Sequence, residues 1–171
     1  MALRNIVHEG DTVLHKHCRP VTNFDDRLAM LLDDMRETLA EADGVGLAAP
    51  QVGVLRRAVI VLETNVPEGE EPRVIELINP EIISSDGEQT GPEGCLSLPG
   101  RFGLVKRPMD VTVRAQDRHG NTFEVSGHAL TARCFCHEID HLEGTMFTDC
   151  ALRMLSDDEL ETGSWQDEVE A

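Results

Sequence analysis

Positive charge is scarce in this sequence: 15 Lys and Arg stand against 32 Asp and Glu, giving a formal net charge of -17. Binding nucleic acid by phosphate neutralisation needs clustered basic side chains, so no direct nucleic-acid partner is expected. An acidic surface favours solubility instead. Long apolar runs are missing as well. No window reaches the roughly 20 residues that a helix needs to cross a bilayer, so no membrane partner is expected. No N-terminal stretch pairs a basic start with an apolar run and a small-residue cleavage site, which makes the cytoplasm the expected address. The cysteines, Cys18, Cys95, Cys134, Cys136 and Cys150, are odd in number and unevenly spaced. That pattern argues against a disulfide framework and leaves thiols free for chemistry. Internal repeats are absent.

What is present reads as one globular unit, since 171 residues can bury a single core that offsets chain entropy. From 24 to 42 the residues Leu28, Leu31, Leu32, Met35 and Leu39 recur at helical spacing and predict an amphipathic helix. Asn23 is the expected N-cap, Asp25 and Asp26 suit the helix dipole, and Gly44 is the expected stop. Strands are expected over 58–63 and 73–78, separated by an acidic, mobile loop at 68–72, and a hairpin over 110–117 and 122–125. A second helix is expected from about 127 to 142, capped by Ser126 and stopped by Gly144. Beyond Ser156 the chain carries Asp and Glu without Lys or Arg, so residues 156–171 are expected to form a frayed acidic tail behind a catalytic domain at 1–155. Strands and helices do not alternate strictly, so the expected class is α+β, with antiparallel sheets packed around the second helix.

That helix carries His137-Glu138-Ile139-Asp140-His141, the pattern H-E-x-x-H. Residues four apart on a helix point the same way, so both imidazoles can grip one ion. A catalytic ion needs a third protein ligand and one position left for solvent. Glu138, beside the ligands, can take a proton from water at that position. Going back along the same helix face from His141 and His137 come Cys134 and then Leu130, an apolar continuation expected to form the buried wall of a pocket. The third ligand is not a downstream His, because Phe147 stands where some metalloproteases have one. Glu159 and Glu161 fall in the tail and read as solvated charge. Upstream, Cys95 sits in Glu93-Gly94-Cys95-Leu96-Ser97-Leu98-Pro99-Gly100, pinned by glycine and proline, and a thiolate there can reach the ion.

Three blocks together, Gly44-Val45-Gly46-Leu47-Ala48-Ala49-Pro50-Gln51, the 93–99 segment and His137 to Leu142, resemble the peptide deformylase family along nearly the whole chain. The resemblance implies hydrolysis of the formyl group from the N-terminal formylmethionine of new polypeptides, with release of formate. It implies Cys95, His137 and His141 as metal ligands, Glu138 as general base and then acid, and the Gln51 amide and Leu96 backbone N–H as donors to the developing oxyanion. It further implies a methionine side chain resting against Gly94, Leu130 and Cys134, and a close backbone approach at Gly46. The implied cofactor is one divalent ion, Fe(II) in the family, with Zn(II), Ni(II) or Co(II) as replacements. Formylated nascent chains are the implied partner. Some members dock on the ribosome through a basic C-terminal helix, and this acidic tail implies only transient proximity. Where some members have a basic residue seven positions after the ligand cysteine, this chain has Phe102, preceded by Arg101.

Other residues carry less. His15, Lys16 and His17 read as a solvated stretch before Pro20, and Cys136 as a core residue facing away from Cys134. His8, His119 and His128 have no evident partner, and Trp165 stands alone in the tail. A zinc endopeptidase built on the same helix and a non-catalytic metal-binding module are the competing readings.

Overall fold

The architecture comes from a computed structural model that describes residues 2–170. Helix α1 (Asp26–Ala42) buries Leu28, Leu31, Leu32, Met35 and Leu39, the periodic stripe expected of it. Its cap is Asp25, not Asn23: the Asp25 carboxylate accepts the Leu28 N–H at 3.1 Å, the geometry of an N-cap reaching its third helical residue. The helix ends where Asp43 turns left-handed at φ 54°, and Gly44 follows.

The stripe packs on one face of a five-stranded antiparallel sheet, ordered β1-β2-β3-β6-β7, formed by β1 (Gly46–Ala48), β2 (Ala58–Glu63), β3 (Arg73–Asp86), β6 (Asp110–Gln116) and β7 (Thr122–His128). Side chains alternate across a strand. In β2, Ala58 and Ile60 therefore meet α1, while Val59 and Val61 meet the helix on the other face. Burial on both faces explains the unbroken apolar run. A second antiparallel sheet, ordered β4-β5-β8, comprises β4 (Gln89–Cys95), β5 (Leu98–Arg107) and β8 (Arg153–Leu155).

Helix α2 (Leu130–Leu142) contacts strands of both sheets. It starts three residues later than expected, because residues up to His128 stay in β7, where Val111 pairs with Gly127 and Asp110 with His128. Ser126 is no cap, since its hydroxyl bonds the Thr112 hydroxyl at 2.8 Å. Ala129, at φ 54°, makes the turn. Gly127 lets the helix sit close: a Cβ there would lie 2.8 Å from the Phe135 ring and from Thr131. Gly144, at φ 75°, follows the helix end as expected.

After α3 (Phe147–Cys150) and β8, the tail forms α4 (Asp157–Thr162) and α5 (Trp165–Glu170). Ser156 caps α4, and the Arg153 guanidinium holds Glu159 and Glu168, each at 2.6 Å. Trp165 lies over Gly91 of β4. The neutralising charge sits just before the tail, so a composition count starting at 156 misses it. Among the described residues no helix is long and apolar enough to cross a membrane.

Candidate metal centre

Cys95 closes β4 at a register shift, where Gly94 still faces Phe102 but Cys95 pairs with Leu98. Its Sγ lies 3.4 Å from His141 Nε2, which lies 3.3 Å from His137 Nε2. All three ligand atoms fall within 4.8 Å of one another. An ion bound tetrahedrally by nitrogen and sulfur at their usual lengths sets N–N edges of about 3.4 Å and N–S edges of about 3.5 Å. The residues therefore fit a divalent ion. Downstream, the Phe147 ring stacks on the His137 ring at 6.1 Å and is buried, and Glu159 is tied to Arg153, so neither region offers a competing ligand.

A carboxylate that the sequence reading had not singled out fixes the first imidazole. Glu93 Oε1 accepts from His137 Nδ1 at 2.5 Å, which leaves Nε2 as the ligand atom. Glu93 also accepts from Arg107 at 2.7 and 3.1 Å and from Arg133 at 2.8 Å, while Arg107 reaches Asp140 at 2.7 Å. Burial pushes the Glu93 carboxyl upward, but the bonds from His137 and Arg107 outweigh it and hold it far below the usual carboxylate range.

Glu138 is buried, and its Oε1 has no hydrogen-bond partner in the chain. Such an atom calls for a ligand or water. Burial, aided by the charges of Glu93 and Asp140, raises its carboxyl to about 7, against the opposing pull of His137. Gly46 faces it so closely that any side chain at 46 would strike Oε2. Gln51, only 1% exposed, is held in one orientation. Its Oε1 accepts the Ala48 N–H at 2.9 Å, which turns Nε2 toward Ser97 Oγ at 3.1 Å and Cys95 Sγ at 3.3 Å.

These groups open on a cavity of about 440 Å³, lined also by Gly94, Leu96, Phe102, Leu130 and Cys134. Cys134 is buried, and burial followed by the Glu138 charge raises its thiol to about 12, so it stays neutral. Leu130 is not part of a buried wall: as the first residue of α2 it stands at the rim, 47% exposed. Phe102, 37% exposed, lies over Gly94, where an added Cβ would come within 2.6 Å of its ring. Arg101 is exposed and does not line the cavity. Cys136 is buried in the core with Phe135. His8, His15, His17, His119 and His128 are exposed, away from the cavity, and His15, His17 and His128 pair with Glu9, Glu143 and Asp110.

Comparison with known proteins agrees with this geometry. A model of the polypeptide deformylase family matches residues 3–156. The peptide deformylase of Caldanaerobacter subterraneus subsp. tengcongensis is 54% identical over 161 residues, covering 94% of this chain and 97% of that protein. That of Caldicellulosiruptor bescii is 50% identical, covering 94% and 93%. The crystal structure of a peptide deformylase from Legionella pneumophila superposes with a TM-score of 0.80 at 41% identity, covering 99% of this chain and 96% of that one. A Met-Ala-Ser-bound class I type b peptide deformylase from Acinetobacter baumannii gives 0.80 at 31% identity, covering 87% and 98%. An α+β chain whose cysteine sulfur and paired imidazoles converge at ion-binding distance, matched over most of its length by these enzymes, belongs to the peptide deformylase family.

Proposed function

We propose that this cavity binds the N-terminal formylmethionine of a nascent chain and hydrolyses its formamide bond, releasing formate and a free amino terminus. One observation carries the residue assignment: three ligand atoms at ion-binding spacing, with the unpartnered Glu138 carboxylate oxygen beside them. In a set of one thiolate and two imidazoles, a divalent ion supplies Lewis-acid polarisation of the carbonyl and activates water near neutral pH. Cys95, His137 and His141 are the proposed holders, and Fe(II) the proposed ion, with Zn(II), Ni(II) or Co(II) able to take its place.

Glu138 takes the proton of the attacking water and returns it to the departing amine nitrogen. The Gln51 amide and the Leu96 N–H donate to the oxygen on which charge builds, and they are fixed in advance rather than recruited. The methionine side chain rests against Gly94, Cys134 and Leu130, with Phe102 as a further apolar wall, and the substrate backbone passes beside Gly46. Residues 1–155 form the catalytic unit, and 156–171 an acidic appendage that offers no basic surface to a ribosome. Encounter with the ribosome is transient, and the site of action is the cytoplasm, where formylated chains emerge.

The test is Glu138→Gln. It is expected to bind metal as the parent does and to lose nearly all formate release from formyl-Met-Ala-Ser. Formate release at the parent rate would remove Glu138 from the mechanism.

A further inference from the structure

The first residues of the chain contact each of the three sequence blocks that build the site. The Val7 N–H donates to the Gln51 carbonyl at 2.7 Å, and the Glu9 N–H donates to the Ser97 carbonyl at 2.7 Å. Farther along, the Cys18 N–H donates to the Leu142 carbonyl at 2.9 Å, and the His15 carbonyl lies so near Gly144 that a Cβ there would sit 2.7 Å away. Gln51, Ser97 and Leu142 belong to three separated parts of the chain, and one short segment joins them.

Upstream the segment is anchored in α1. Buried Asp34 accepts the Ala2 N–H at 2.7 Å and Arg4 Nε at 3.0 Å, while buried Thr38 Oγ1 accepts the Arg4 N–H at 3.0 Å. Downstream, Leu14 is fully buried. Val7 and Glu9 are only two residues apart, so one short stretch of backbone carries both N–H groups and ties together whatever they bind. Here they bind the carbonyl of the residue whose amide faces the cavity and the carbonyl one residue beyond Leu96.

We propose that residues 2–18 form a brace whose Val7 and Glu9 N–H groups set the separation of the Gln51 loop from the Leu96-Ser97 turn, and so hold the two oxyanion donors in register. Val7 and Glu9 are positioning residues that touch neither ion nor substrate. The inference rests on the reading of Gln51 and Leu96 as donors. It predicts an effect on turnover rather than on substrate affinity, because the donors engage an oxygen whose charge develops in the transition state.

The test uses the full-length, metal-loaded enzyme with the α-hydroxy analogue of the native residue at position 7 or position 9. Each change turns one N–H into an ester oxygen and keeps the side chain. Each ester is expected to lower kcat about tenfold, in line with the cost of small misplacements, with KM within about twofold and metal content unchanged. Arg4→Met, which loosens the segment far from the cavity, is expected to lower kcat in the same direction by a smaller factor. Combined with Gln51→Ala, the position 7 ester is expected to add little to the loss that Gln51→Ala causes alone, the signature of two changes acting through one group. Parental kcat in both esters, while Gln51→Ala is still impaired, overturns the brace and leaves the donor reading intact. Parental kcat in Gln51→Ala overturns the donor reading and the brace with it. A full additive loss, or loss of metal in place of a kcat effect, assigns the segment to stability alone and also overturns the brace.

Discussion

Glu93 accepts hydrogen bonds from His137, Arg107 and Arg133 at once, and each of those partners is buried. Its loss therefore acts in two ways. Glu93→Gln weakens the bond that orients His137 and is expected to reduce metal affinity by about 10- to 100-fold, measured by competition with a chelator of known affinity. Glu93→Ala also removes the only carboxylate that buried Arg133 touches among the described residues and leaves buried Arg107 with Asp140 alone, and is expected to cost about 3–5 kcal/mol of stability, measured by urea unfolding. Gly46→Ala presses a methyl group onto Glu138 and is expected to abolish most turnover while leaving the metal content of the purified protein unchanged. The shared face of His137 and His141, with Glu138 next to it, was legible in the sequence because four-residue spacing on a helix is local geometry. The tie from Glu93 to His137 was not, since it depends on how β4 sits against α2, and spacing carries no record of that. The place of Leu130 at the rim followed from the helix starting at residue 130.

The helices show the same division between local and distant causes. The apolar stripe of α1 dictated its existence and its buried face, but Asn23 and Asp25 are both good caps by composition, and only the backbone conformation at 25 selects one. Asp25→Ala is expected to destabilise the fold by about 1 kcal/mol in thermal melts. Asn23→Ala, outside the cap, is expected to change it by less than about 0.5 kcal/mol. For α2 the turn chemistry of Ser126 and Gly127 suggested an early start, yet pairing of β7 with β6 continues to His128 and defers the helix. Cross-strand pairing of that kind is a long-range effect. In the tail the acidic charge was visible, whereas the reach of Arg153 to Glu159 and Glu168 was not, because it too depends on contacts between separate elements.

Across the molecule, carboxyls held low set the response to acid. Besides Glu93, Asp34 is lowered, first by the Ala2 N–H, and Glu76 is lowered by Arg118 and Arg36 against the cost of burial. A carboxyl with a depressed folded pKa stabilises the fold fully above its unfolded pKa, about 4. That contribution is lost as pH falls through the folded value. Glu138 works the other way. Its folded value near 7 lies above the unfolded one, so between about 4.3 and 7 the metal-free fold holds a proton that the unfolded chain has released, and stability from this group declines as pH rises. Urea unfolding of metal-free protein is therefore expected to give a stability maximum on the acidic side of neutrality, and Glu138→Gln is expected to flatten the descent above it.

The proposed ligands come from two pieces of architecture: Cys95 from the end of the small sheet, and both histidines from the helix between the sheets. An ion held by all three is thus a crosslink, one that exists only in the folded chain. Binding of that kind adds stability in proportion to the logarithm of free ion over its dissociation constant, about 2.7 kcal/mol at a hundredfold excess. Chelation is expected to lower the melting temperature and to speed amide exchange in β4 and β5 ahead of β2 and β3, read by mass spectrometry. Scarcity of the ion would then shorten the lifetime of the molecule against proteases as well as silence it, tying the abundance of the catalyst to the supply of its own reagent.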